Sequence, residues 1–198
     1  EHLMRIFNGG IQRRGIKQDN ALVLVPMNRG VIGTQLLNQT LQQIINPGTG
    51  MDMLVHGGTT LKVGDRVMQL RNNYDKLVFN GDIGPIIAID VQDKTVTVSY
   101  FGRYVVYESS ECDELVLAYA VTIHKSRGSE YEAVVIPILM QRFVLLPRNL
   151  LYTAITRAKK FCILIGQPKA IGMALGNNTS TERITFLQQY LTTNLVCR

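Results

Sequence analysis

Apolar positions along the chain follow two rhythms. Short unbroken runs such as "ALVLV" (21–25), the stretches 115–120 and 133–138, and "FCILIG" (161–166) read as strands buried on both faces, the habit of a parallel sheet. Between them, Leu37, Leu41, Ile44 and Ile45 fall at i, i+4, i+7 and i+8, the stripe of an amphipathic helix that "NPGTG" (46–50) closes. "PRNLLYTAITRAKK" (147–160) reads as a second helix, started by Pro147 and striped by Leu150, Leu151, Ala154, Ile155 and Ala158. Residues 1–20 predict a short helix and a polar loop, and two short helices are expected to close the chain. From Leu61 the period changes to two. "DRVMQLR", "IGPIIAIDV", "TVTVSYF" and "YVVYES" alternate β-branched and aromatic residues between turn signals at 80–84 and 91–94, as in a small barrel. The expected fold is α/β: a parallel-sheet domain over 1–60 and 115–198, with a small SH3-like β-barrel inserted over 61–114.

Charge separates the same segments. The net +6 divides into +2 over 1–60, −3 over 61–114 and +7 over 115–198, which sets the middle apart and points the basic surplus at a polyanion. No apolar run reaches the roughly 18 residues needed to span a membrane. Cys112, Cys162 and Cys197 lack metal-ligand spacing and read as reduced, inert thiols of a cytoplasmic protein. The chain starts at Glu1 rather than Met, as a piece of something longer would.

The polar residues that carry chemistry concentrate in "TIHKSRGSEY" (122–131). Thr122, His124, Lys125, Ser126 and Arg127 supply donors, Gly128 permits a close backbone approach, and Glu130 offers an acceptor for a sugar hydroxyl. A donor-rich loop after a strand of an open α/β sheet suits phosphates. Nothing pairs His124 with a nucleophile or with metal ligands, so hydrolase and metal-site readings are rejected. Arg29, in "PMNRG" (26–30), precedes a helix, where anions are favoured; a solvated loop arginine is the plain alternative. Arg157 sits at the rim of its helix stripe, able to reach past the domain edge or to cap a local carbonyl. There is no GxxxxGK[ST] phosphate loop and no acidic pair closing an apolar strand.

Taken in order, the motifs resemble those of superfamily 1 DNA helicases of the RecD/TraA type, the exodeoxyribonuclease V alpha-chain family. "LVLVPMNRG…LNQTLQQIINP" is similar to motif IV, "GDRVMQLRNNYDKLVFNGDIG" to the start of the SH3-like insertion, "YAVTIHKSRGSEYEAVVIP" to motif V, and "RNLLYTAITRAKK" to motif VI. The resemblance implies a second RecA-like domain (2A), of P-loop NTPase type without the Walker motifs, carrying an SH3-like insert (2B), in an ATP-dependent 5′-to-3′ helicase of recombination and repair. It implies that Arg157 is the arginine finger and Arg29 a second γ-phosphate contact. Gly128 and Glu130 then lie by the nucleotide, with Arg127 where the family more often has Gln. Thr122 and His124 face the DNA backbone, helped by Lys125 and Ser126. In "RNNYDK" (71–76), Asn72 and Tyr74, with Arg71 and Lys76, could meet a strand, or the segment could be a turn that supports the barrel. ATP and Mg2+ are the implied cofactors of the full-length enzyme, none being held by this part alone, which is expected to be inactive. The implied partners are single-stranded DNA, an N-terminal RecA-like domain, and RecB- and RecC-like subunits of a bacterial cytoplasmic complex. A Pif-type helicase shares the "HKSQG"-like motif V, but its motif VI resembles "YVALSRA" rather than "YTAITRA". A stand-alone nucleic-acid-binding module is the reading from another class.

Overall fold

The computed structural model describes residues 2–28, 30, 33–48, 53–138 and 147–177. After a four-residue helix α1 (His2–Arg5) and three tight turns, the chain enters β1 (Ala21–Val25) and helix α2 (Thr34–Ile45). Strands β2 (Met53–His56), β3 (Thr59–Lys62), β4 (Arg66–Gln69), β5 (Ile83–Asp90), β6 (Thr95–Tyr100), β7 (Arg103–Tyr107) and β8 (Leu115–Leu117) follow. Then come β9 (Ala120–Thr122), β10 (Tyr131–Ile138), α3 (Arg148–Ile155), β11 (Ala158–Gly166) and α4 (Pro168–Gly176). Among the described residues no helix is long and apolar enough to cross a membrane.

Strands β11-β10-β1-β9 form a parallel sheet. All five residues of β1 are buried, because its alternate side chains enter two cores. Leu22 and Leu24 pack with Leu150, Leu151, Ala154, Ala170 and Ala174 of α3 and α4. Val23 and Val25 face Leu37 and Leu41 of α2 and, from the N-terminal turns, Phe7 and Ile11. That second core continues without a break into Val67, Val96, Val98 and Tyr107 of the antiparallel sheet. The N-terminal segment is therefore a covering layer of the core rather than a polar appendage.

The antiparallel sheet has the order β7-β6-β5-β4-β8. Gly84 is required in it: a Cβ there would lie 2.1 Å from the Ser99 carbonyl oxygen. Two apolar runs divide differently from the sequence expectation. The stretch 115–120 is two strands: β8 pairs antiparallel with β4 and β9 pairs parallel with β1, so one run feeds both sheets. Period-two structure also begins before Leu61, with the β2–β3 hairpin closed by Gly57 and Gly58, both at positive φ, the left-handed pair a tight two-residue turn demands. The helix expected over 147–160 ends at Ile155, and β11 begins at Ala158 rather than at 161. Beyond one more turn, sheet pairing of Ala158 with Tyr131 wins over helix propagation. Of the two closing helices, α4 is present; the other falls outside the described residues.

Candidate nucleic-acid groove and nucleotide-facing edge

The loop 123–130 joins β9 to β10 across the intervening β1. Its two ends lie at opposite edges of the parallel sheet. Thr122 is level with Val25, whereas Ala133 is level with Ala21. Six residue positions separate Thr122 from Tyr131 along the strand direction, about 20 Å at the usual strand rise. The expectation of a loop at the carboxyl ends of the strands thus holds for its start only, and its end returns to the amino edge.

The start is packed. Ile123 and Ser126 are fully buried and Thr122 is 8% exposed. The Thr122 hydroxyl accepts from the Lys125 amide at 3.4 Å, and its carbonyl takes the Lys125 and Ser126 amides at 3.0 and 3.2 Å. The Ser126 hydroxyl donates to the Ile123 carbonyl at 2.8 Å, which turns it inward to shape the loop, where the sequence had grouped it with residues facing DNA. His124 is exposed and Lys125 half-buried; burial holds the Lys125 amine below the ordinary lysine range.

Thr122 and Lys125 open onto a groove of about 700 Å³. One wall is α2, through Gln35, Asn38 and Gln39; a second is the β2–β3 turn, Gly57–Thr59; a third is Met68, Leu70 and Val116 of the antiparallel sheet; β9 makes the floor. Apart from Lys125 the lining is amides, hydroxyls and apolar groups. Asn38 fixes α2 to the sheet edge. Its side-chain amide donates to the Ala120 carbonyl at 2.9 Å while its carbonyl accepts the Ala120 amide at 2.7 Å, so edge-strand groups without a neighbouring strand are paired. The sequence pattern missed these walls. Two cues were present: the Gly-Gly pair between alternating segments, and the polar positions 35, 38, 39 and 42 along an amphipathic helix.

The far end of the loop is open. Arg127, Gly128, Ser129 and Glu130 are exposed. Gly128 has φ +86° with open space around a built Cβ, so the backbone turn, not close approach, calls for glycine. Arg157, in the turn after α3 rather than within it, meets this end. Its guanidinium donates to the Ser129 carbonyl at 3.4 Å and to the Thr156 hydroxyl at 3.3 Å, and its Nε to the Thr153 carbonyl at 3.3 Å. The Tyr131 amide donates to the Arg157 carbonyl at 2.9 Å, locking the turn to the start of β10. Lys159 lies 3.5 Å from Glu130. Among the described residues no carboxylate pairs with Arg157; its guanidinium is held by neutral acceptors, beside the exposed Glu130 and the Gly128 turn. That donor and acceptor set fits a nucleotide's phosphate and sugar. Arg29 lies outside the described residues.

In the connection between β4 and β5, Tyr74 is 71% exposed and stacks edge-on against Phe79. The Asn72 carbonyl accepts the Asn80 amide at 2.9 Å, and its amide lies 3.5 Å from the Tyr74 hydroxyl. Lys76 is committed internally, to Glu111, to the Val106 carbonyl and to the face of Tyr107. Lys76 holds the Glu111 carboxyl below its ordinary range. Of the cysteines, Cys112 is buried and Cys162 exposed; Cys197 is outside the described residues.

This architecture has the fold of the helicase RecA-like domain with an SH3-like companion. A Bacteroides Pif1 helicase in complex with ADP-AlF3 and single-stranded DNA superposes with TM-score 0.55 at 17% identity, covering 98% of this chain and 49% of that one. A structure of two coordinating Pif1 helicases at forked double-stranded DNA gives TM-score 0.57 at 18% identity, covering 96% and 48%. Sequence narrows the class. Residues 37–100 match the SH3 domain of the ATP-dependent RecD-like DNA helicases, and residues 117–165 the UvrD-like helicase C-terminal domain. The ATP-dependent RecD2 DNA helicase of Deinococcus radiodurans is 32% identical over 167 residues, 84% of this chain and 23% of the relative. The RecBCD enzyme subunit RecD of Mycolicibacterium smegmatis is 27% identical over 178 residues, 88% and 31%. The chain belongs to the RecD-like superfamily 1 helicases and corresponds to their C-terminal region. It spans about a quarter to a third of the length of these curated relatives.

Proposed function

We propose that the chain is the C-terminal part of an ATP-dependent, 5′-to-3′ DNA helicase of the RecD type, acting in the bacterial cytoplasm on single-stranded DNA. Residues 1–60 and 115–198 form its RecA-like module and 61–114 its SH3-like insert, with the β2–β3 hairpin and β8 at the seam. The observation that carries this reading is the span of one loop: it starts in the groove at Thr122 and Lys125 and ends beside Arg157.

In this reading the groove holds the strand. Thr122, Lys125 and the exposed His124 meet its backbone, Ser126 keeps their turn in shape, and Tyr74 with Asn72 offers a stacking and hydrogen-bonding surface further along. At the other edge Glu130 takes the ribose, while Gly128 and Arg127 line the nucleotide. Arg157, with Arg29 as second contact, faces the γ-phosphate of ATP held with Mg2+ by the N-terminal RecA-like domain. Phosphoryl transfer is catalysed by positioning and charge neutralisation, and an arginine finger is worth about 10³–10⁵ in rate. Because the finger and the phosphate loop sit on different domains, hydrolysis requires closure of the cleft, and the loop carries that closure to the groove. This part alone lacks the phosphate loop and does not turn over ATP. RecB- and RecC-like subunits are candidate partners.

The test separates the two ends in the full-length protein. Lys125→Ala raises the oligonucleotide concentration for half-maximal ATPase stimulation about tenfold and lowers the salt slope of DNA binding by about one, with turnover at saturating DNA unchanged. Unaltered DNA affinity and salt slope in that variant refute the groove as the strand site.

A further inference from the structure

Asp65 is fully buried, yet no cation is paired with it among the described residues. Its two carboxylate oxygens accept four neutral donors. One oxygen takes the Asn46 side-chain amide at 2.8 Å and the Tyr119 hydroxyl at 2.8 Å. The other takes the Lys62 backbone amide at 2.8 Å and the Gln42 side-chain amide in a short contact. Burial and the Asp65 carboxylate keep the Tyr119 phenol above its ordinary range, so it is a donor throughout physiological pH. The four donors come from different parts of the molecule. Gln42 and Asn46 belong to α2 and its cap, Lys62 ends the β2–β3 hairpin, and Tyr119 leads into β9. Asp65 itself opens the antiparallel sheet, its carbonyl accepting the Ile86 amide at 2.8 Å.

These are the elements that wall the groove: α2, the hairpin, β9 and the antiparallel sheet. Asp65 itself is not part of the groove's lining. We propose that Asp65 is the positioning residue of the groove, one carboxylate that sets the distance between the parallel-sheet floor and the SH3-like wall and so fixes the width available to a strand. This rests on reading the groove as the single-strand site. A carboxylate suits the task because it is acceptor-only, with capacity for about four bonds. An asparagine of the same shape turns a donor toward donors, which opens the joint while keeping its volume. The sequence offers Asp65 only as one acid within "GDRVMQLR".

The experiment uses the full-length helicase with a dT oligonucleotide as probe. Asp65→Asn is expected to raise the oligonucleotide concentration for half-maximal ATPase stimulation about tenfold, because the introduced amide faces two donors and leaves both unpaired, while turnover at saturating oligonucleotide stays within about twofold of the parent. Adding Gln42→Glu to Asp65→Asn returns an acceptor opposite the introduced amide and recovers part of that affinity, although Gln42→Glu alone weakens binding. Tyr119→Phe, which removes one bond of the four and leaves the carboxylate in place, gives a shift of about threefold by the same reasoning; it decides the matter if Asp65→Asn does not fold. Unchanged oligonucleotide affinity in the folded variants overturns the proposal, as does a proportional fall of affinity and turnover without rescue by Gln42→Glu. Substituting the lining residue Gln39 by Ala tests the underlying reading separately. If Gln39→Ala and Lys125→Ala both leave affinity intact, it is the groove assignment that fails.

Discussion

The two ends of the loop 123–130 differ in how much of their structure the chain itself completes. At the groove end, Ile123 and Ser126 are fully buried, and the Thr122 and Ser126 hydroxyls both find partners within the turn. At the other end, Arg127, Gly128, Ser129 and Glu130 are exposed, and Arg157 rests on carbonyls and a hydroxyl at 3.3–3.4 Å. Those are long, neutral contacts for a guanidinium, weaker than its pairing with a carboxylate or phosphate. One end is a finished surface; the other presents groups whose strongest partners come from outside. A loop made this way can report between a stable grip and a site assembled only on contact.

The contrast predicts that function and stability separate along the loop. The largest effect is at the open end. Arg157→Ala in the full-length protein is expected to lower DNA-stimulated ATP turnover by at least about 10³ while leaving the melting temperature and nucleotide affinity nearly unchanged. Normal turnover in steady-state assays would break the comparison. At the packed end the order inverts. Ser126→Ala removes a buried hydroxyl from the Ile123 carbonyl and should cost about 1 kcal/mol in denaturant unfolding, with turnover at saturating ligands preserved. Gly128→Ala, at the start of the open end, meets no atom but must adopt φ +86°, which should cost about 1 kcal/mol of stability. A still larger loss would mean that a neighbour fills the space the structure leaves open. Glu130→Gln loses an exposed contact with Lys159 at 3.5 Å, so stability should change by less than about 0.5 kcal/mol, whereas nucleotide affinity measured by titration should fall. A destabilisation equal to that of Ser126→Ala would erase the distinction between the ends.

A smaller effect, controlled by pH, lies between the β4–β5 connection and the turn after β7. Lys76 lowers the Glu111 carboxyl, so this pair's contribution is present above the ordinary glutamate range and is lost as pH falls through the lowered value. Lys76→Met should therefore flatten the acid limb of the stability profile by about a few tenths of a kcal/mol at most, since both groups are partly exposed.

Much of the molecule was legible residue by residue. The run Ala21–Val25 could only be a doubly buried strand, and Leu37 and Leu41 could only face a core from a helix. The period-two stretches after Leu61 announced a second sheet. The ordered motifs around Arg29, Gly128 and Arg157 carried the family. Boundaries were less legible where two structures competed for the same residues. Ala158–Lys160 have helix-compatible side chains, and only pairing with β10 makes them strand. Leu115–Leu117 and Ala120–Thr122 read as one run because apolar patterning reports burial, not which sheet receives it. The glycine pair at 57–58 was a visible hairpin signal that the neighbouring helix and barrel patterns overshadowed.

By itself, then, the chain's sequence determined most element types, the division into a parallel and an antiparallel sheet, and the residue chemistry at each end of one loop, because these depend on periodicity and on local turn preferences. Tertiary structure alone decided that the loop's ends lie at opposite edges of the sheet, that Arg157 leaves its helix to meet Ser129, and that Asp65 gathers α2, the hairpin and β9 at one carboxylate. Those facts rest on a strand register that pairs Ala21 with Ala133 and Val25 with Thr122, and on side-chain contacts such as Tyr119 to Asp65, 54 positions apart; no local pattern encodes which distant donors a buried acid will find.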